Sequence, residues 1–135
     1  MHIPFTHKKI TEVKDMGPEM GAEGRAEVRF AGADFDAEQT GFTHHVLKPN
    51  VHSAFGHRHQ EAEEVYIVLR GSGRMKLDDE IIEIEELDVI RVSPEVWRGF
   101  SAGPDGLEAL AFGARHVNDG EVDPQWWIEG EEAAG

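Results

Sequence analysis

Apolar and polar residues alternate in short bursts along most of the chain, and the bursts are separated by turn-forming residues. The segments 26–32 (AEVRFAG), 42–48 (FTHHVLK) and 64–70 (EVYIVLR) each read as a β-strand, because a period of two places one set of side chains on one face. RMKL and IIEI flank Asp78, Asp79 and Glu80 and predict a hairpin. DVIRV (88–92) runs into Ser93 and Pro94, VWRGFSA follows, GPDG (103–106) predicts a turn, and LEALAFG (107–113) predicts a last strand. Gly71 and Gly73 are expected to end the 64–70 strand in a turn that needs positive φ. About nine short strands and no long helical pattern predict an all-β antiparallel sandwich or barrel. Residues 1–25 show no sustained period and read as an arm, 33–41 as a loop with one helical turn, and 115–135 as an acidic tail outside the 26–114 barrel.

Composition narrows the picture. A length of 135 residues fits one domain with one core. Twenty-seven Asp and Glu against 13 Lys and Arg give a formal charge of −14, a surface that repels nucleic acid and anionic lipid. With no cysteine, disulfides, thiolate ligands and a cysteine nucleophile are excluded, which fits a cytoplasmic protein. No window approaches the ~20 apolar residues of a membrane span, and MHIPFTHKKI has no signal-peptide pattern.

The candidate chemistry lies in histidines. On a strand, His57 and His59 would point to one face about 7 Å apart, and Glu64 could bring a carboxylate to the same point. A His-His-carboxylate set without sulfur suits Fe, Mn, Ni, Cu or Zn, and spacing does not choose among them. His44 and His45 are adjacent on a predicted strand, so one points inward and the other outward. His52 is a weaker candidate, and His2, His7 and His116 are expected in solvent. Tyr66 and Val68 share a face. Trp97 is read as a wall or core residue, and Trp126 and Trp127 as a clasp for the barrel or for a second subunit.

The stretch HRHQEAEEVYIVLRG, with His57, His59, Glu64 and Gly71 in place, resembles the first motif of the cupin superfamily. DVIRVSPEVWRGF (88–100) resembles the second motif in its order, its aspartate and its proline, and the similarity covers roughly 40–113. The resemblance implies a double-stranded β-helix (jelly-roll) barrel with its site inside one open end. It implies His57, His59 and Glu64 as metal ligands, and a homodimer. Val51 stands where the family's first motif usually opens with Gly, Glu95 replaces a second-motif Gly, and Arg98 stands where the fourth ligand, a histidine, is usual.

A guanidinium has no lone pair to donate. At 4 Å from a dication it would be repelled by about 8 kcal/mol at an effective dielectric near 20. Arg98 therefore pairs with Glu64, swings aside, or holds a ligand anion. Arg98, Tyr66, His45 and Trp97 are the expected contacts of a small, anionic ligand. Three functions stay open: a small-molecule-binding cupin, a metal-dependent dioxygenase or isomerase, and a metal-free isomerase or epimerase with a histidine base.

Overall fold

The computed structural model describes residues 2–53 and 55–127. The predicted strands between 26 and 113 are present, but several run together. The elements are β1 (Ala26–Phe30), β2 (Thr40–Leu47), β3 (Gly56–His59), β4 (Glu64–Leu77), β5 (Glu80–Glu85), β6 (Val89–Val92), β7 (Arg98–Ala114) and β8 (Gly120–Asp123). All pairings are antiparallel, and β4 is the spine, pairing with β5, β6 and β7 while β7 carries β2 and β2 carries β1. The sheet curls into a cupin-like jelly-roll barrel. Among the described residues no helix is long and apolar enough to cross a membrane.

Strand alternation builds the interior. Tyr66 and Val68 of β4 and Phe100 and Ala102 of β7 are buried on one face, with Leu47, Met75, Ile84 and Val92 closing the core around them. Alanines at 102, 109 and 111 let the β7 backbone approach the spine closely, where larger side chains would fill the lumen.

Two expected turns are not chain reversals. The GSG segment does not end a strand, because β4 passes through it with register shifts between Val68 and Arg70 and between Gly71 and Gly73. Gly71 has φ +80, as expected, but Gly73 is not among the positive-φ residues. Its lack of a side chain serves close approach instead, since a Cβ there would lie 2.1 Å from the Ser101 carbonyl oxygen. The GPDG segment bulges out of β7, since Ala102 pairs with Gly73 and Leu107 with Gly71. The hairpin at 78–79 is present, with Leu77 opposite Glu80. The segment read as an acidic tail contains β8, which pairs with all four residues of β3.

The bulge glycines give a direct test. At Gly71 an added Cβ would meet both a positive φ and the Gly106 carbonyl oxygen at 2.1 Å, whereas at Gly24, φ +77, it would meet nothing within 4 Å. Urea unfolding should show Gly24→Ala losing about 1 kcal/mol from the left-handed conformation alone, and Gly71→Ala losing about 3 kcal/mol or more. Equal losses would mean the bulge backbone gives way freely.

Candidate functional site

His57 and His59 are two apart on β3 and face one way, their rings 5.2 Å apart and nearly perpendicular at 88°. Glu64 opens β4 after a short loop and shares the inward face with Tyr66. The donor atoms of His57, His59 and Glu64 all lie within 4.8 Å of one another. Four groups converge on a single atom, Glu64 Oε1. The Tyr66 hydroxyl donates to it at 2.7 Å, and His59 Nε2 lies at 3.2 Å, His57 Nε2 at 3.4 Å and Arg98 Nη1 at 3.5 Å.

Burial alone would raise the Glu64 carboxyl, but contacts from His57, His59 and Tyr66 outweigh it and hold the group well below the usual carboxylate range. Burial pushes the Tyr66 phenol up, and the Glu64 charge adds to this. Burial also pushes His57 down, against the opposing pull of Glu64.

The expected ligand contacts separate. Arg98 is 0% exposed and lies opposite His57 in the β3–β7 register. Its Nη2 donates to the Ser93 carbonyl at 2.8 Å and its Nη1 lies 3.5 Å from Glu64 Oε1. It borders a deep cavity of about 30 Å³ rather than the mouth. His45 is the inward member of its pair, edge-on to Phe100 at 5.6 Å, while His44 Nε2 lies 2.7 Å from Glu108 Oε2 on the opposite face.

Tyr66 is buried beside Arg98. Trp97 is displaced from the expected site: as the neighbour of inward Arg98 it points the other way, stacking on Trp126 at 5.9 Å with the Arg58 guanidinium 4.6 Å over its ring. The two tryptophans clasp the chain's own barrel. Trp126 lies against Gly56 and Gly99, and Trp127 stacks on His52 at 4.6 Å. His2 and His116 have exposed or partly exposed side chains near Glu38 and Glu61.

One residue of this cluster escaped the sequence reading. Asp119 is 7% exposed. Its Oδ1 accepts the backbone N–H groups of Gln60 (3.1 Å) and Glu61 (2.8 Å), and its Oδ2 accepts that of Ala62 (3.0 Å). Oδ2 also lies 3.2 Å from His59 Nδ1. Burial would raise this carboxyl, but the three N–H groups hold it below its ordinary value. Only an acidic residue in a turn, Asn118–Asp119–Gly120, hinted at it, and turns of that kind are common in loops.

A cavity of about 240 Å³ opens onto the triad. His45, His57, His59 and Glu64 form its polar part, and its walls include Met20, Phe30, Phe55 and Val122. Phe30 and Val122 are 49% and 61% exposed at the rim. A second opening, of about 360 Å³, reaches His59 and Glu64 from the side of Gly41 and Gly113.

The residues fit a first-row divalent ion. Both ring nitrogens of His59 are buried and neither makes an aligned hydrogen bond among the described residues. With metal–ligand bonds of ~2.0–2.2 Å, neighbouring donors around a tetrahedral or octahedral ion stand roughly 3.0–3.5 Å apart, and the two histidine-to-Glu64 separations of 3.2 and 3.4 Å fall in that range. Two imidazoles and a carboxylate are hard-to-borderline donors suited to such ions.

No protein-family model and no curated protein matches the chain. Its fold is matched by solved structures. A cupin protein from Bacteroides fragilis is 19% identical, with 87% of this chain and 89% of that chain covered and a TM-score of 0.67. The polyketide cyclase RemF from Streptomyces resistomycificus is 19% identical over 97% and 89% of the two chains, TM-score 0.70. The nucleoside dehydratase Pac13 from Streptomyces is 12% identical over 91% and 92%, TM-score 0.68. These likenesses define the fold: the chain is a small cupin-like barrel.

The inward histidine has a measurable signature. Burial, followed by the neighbouring His57, pushes His45 from an ordinary 6.5 down to about 4. Its folded pKa is depressed, so between pH 6.5 and 4 the unfolded chain holds a proton that the folded chain does not. Stability is therefore lost as pH falls through that window, by up to about 3 kcal/mol. Urea midpoints measured from pH 7.5 to 4.5 should fall in wild type and fall less in His45→Gln. Parallel slopes would remove His45 as the cause.

Proposed function

We propose that the barrel holds a small molecule at a divalent metal ion bound by His57, His59 and Glu64, and that the chain is a metal-dependent cupin. The observation that carries this reading is the convergence of three donor atoms within 4.8 Å, with His59 Nε2 buried and otherwise unpartnered. Such an ion supplies Lewis-acid polarisation of a bound oxygen. Tyr66 donates to Glu64 Oε1 and Arg98 lies 3.5 Å from the same atom, which keeps the carboxylate's orientation fixed.

The geometry favours an uncharged ligand with an apolar body over the anion that Arg98 alone suggested. Arg98 is sealed beneath Glu64, and the mouth is lined by Phe30, Phe55, Met20 and Val122. The cavity wall carries no Lys or Arg among the described residues, so a charged group entering there would have the ion alone as counter-charge, within a chain of net charge −14. The chamber, at about 240 Å³, is below the ~300 Å³ at which drug-sized pockets begin.

A specific contact favours a second reading. The fully buried Arg98 lies 3.5 Å from Glu64 Oε1 and with it makes a neutral pair. In that reading the pocket is metal-free, and a histidine and Tyr66 do acid–base work.

Elemental analysis of protein purified without chelator separates the two. The metal reading expects about one equivalent of Fe, Mn, Ni, Cu or Zn, lost in His57→Ala with the fold retained. No metal in wild type, or unchanged metal in His57→Ala, overturns it. The metal-free reading expects Glu64→Gln to destabilise the apo chain by about 3–5 kcal/mol, because Arg98 is left buried without its counter-charge.

A further inference from the structure

The strand that carries both histidines is poorly attached to the barrel. β3 makes one register pair with β7, His57 opposite Arg98. Its full ladder is with β8, pairing Gly56 with Asp123, His57 with Val122, Arg58 with Glu121 and His59 with Gly120. Trp126, three residues beyond β8, then lies against Gly56 and Gly99 on the outer side, so close that a Cβ on Gly56 would fall 2.3 Å from its ring. The position of His57 and His59 is therefore set largely from the C-terminal segment, with the His59 backbone N–H also donating to the Pro94 carbonyl at 2.8 Å.

Asp119 is where that segment meets the chemistry. One of its oxygens serves the Gln60 and Glu61 N–H groups, and the other lies between the Ala62 N–H and His59 Nδ1. This single side chain holds the loop leading to Glu64 and places a carboxylate oxygen 3.2 Å from His59 Nδ1, close enough for a small ring rotation to align a hydrogen bond. On the far side of that ring, Nε2 faces Glu64 Oε1 at 3.2 Å.

We propose that Asp119 is the positioning residue of the site: it accepts the Nδ1 proton of His59, fixing the tautomer and ring plane that present the Nε2 lone pair to an ion. An imidazole whose Nδ1–H is held by a carboxylate is also a stronger donor at Nε2. The part concerning ion affinity rests on the metal reading above, whereas the tautomer does not. The acceptor comes from outside the stretch that resembles the cupin motifs, delivered by a strand that sequence periodicity does not reveal.

Two measurements on the full-length chain test this. Long-range 1H–15N correlation of the metal-free protein should find His59 protonated at Nδ1, and Asp119→Asn should shift it toward the Nε2-protonated form. Asn keeps an acceptor for the Gln60 and Glu61 N–H groups, so the loop can survive. Zn2+ affinity by chelator competition should fall about 10–100-fold in Asp119→Asn. In Glu121→Ala, which removes only the outer Arg58 contact of β8, it should stay within about threefold. His59 protonated at Nε2 in wild type overturns the inference without recourse to any variant. So does an Asp119→Asn affinity equal to a measurable wild-type affinity. A wild type that takes up no Zn2+ yet holds His59 in the Nδ1–H form overturns the metal reading and supports Asp119 as the group that sets the tautomer.

Discussion

A single carboxylate oxygen organises this barrel. Glu64 Oε1 receives the Tyr66 hydroxyl and lies within 3.5 Å of His57, His59 and Arg98, groups that come from three different strands. An ionised carboxylate taken from water costs several kcal/mol unless it is paired and hydrogen-bonded, so these partners are conditions for Glu64 being where it is. The same requirement explains the burial of Arg98. Its guanidinium is tolerable at 0% exposure because Glu64 and the Ser93 carbonyl receive it.

The sheet delivers these groups through register rather than through loops. On β4, residues 64, 66 and 68 face the lumen, and on β7 so do 98, 100 and 102, so the charged pair is stacked directly above the apolar core. The bulges near Gly71 and across 103–106 curve the two longest strands, β4 and β7, without reversing them, and bring their ends round toward the open end of the barrel. Apolar residues at the mouth then limit access of water to the polar floor, where a lower local dielectric strengthens every contact around Glu64.

The C-terminal segment gives the arrangement its asymmetry. Most of the barrel is held by the β4–β7 ladder, but β3 is held mainly by β8 and by the packing of Trp126. The histidines therefore sit on a strand that, among the described residues, has one ladder pair to β7 and none to β4, braced by residues far along the chain.

Much of the fold was legible in the residues. A period of two located the strands from 26 to 113, the parity of Tyr66 and Val68 set their common face, and the spacing of His57, His59 and Glu64 allowed them to meet. These are local properties, fixed by the alternation of side chains along an extended backbone. What local patterning could not decide was pairing and direction. It could not say that the GSG and 103–106 segments are bulges, because a bulge exists only against a partner strand. It left His44 and His45 undecided, and only the register of β2 on β1 and β7 turns His45 inward. Trp97 and Arg98 are neighbours, and the pairing of Arg98 with His57 is what sends the arginine to Glu64 and the tryptophan outside. Asp119 is 60 residues from His59, and no pattern within either segment encodes their contact. The sequence by itself determined which chemical groups this barrel has to work with. The tertiary structure decided that Arg98 faces Glu64, because only the closed sheet places those two charges on the same wall.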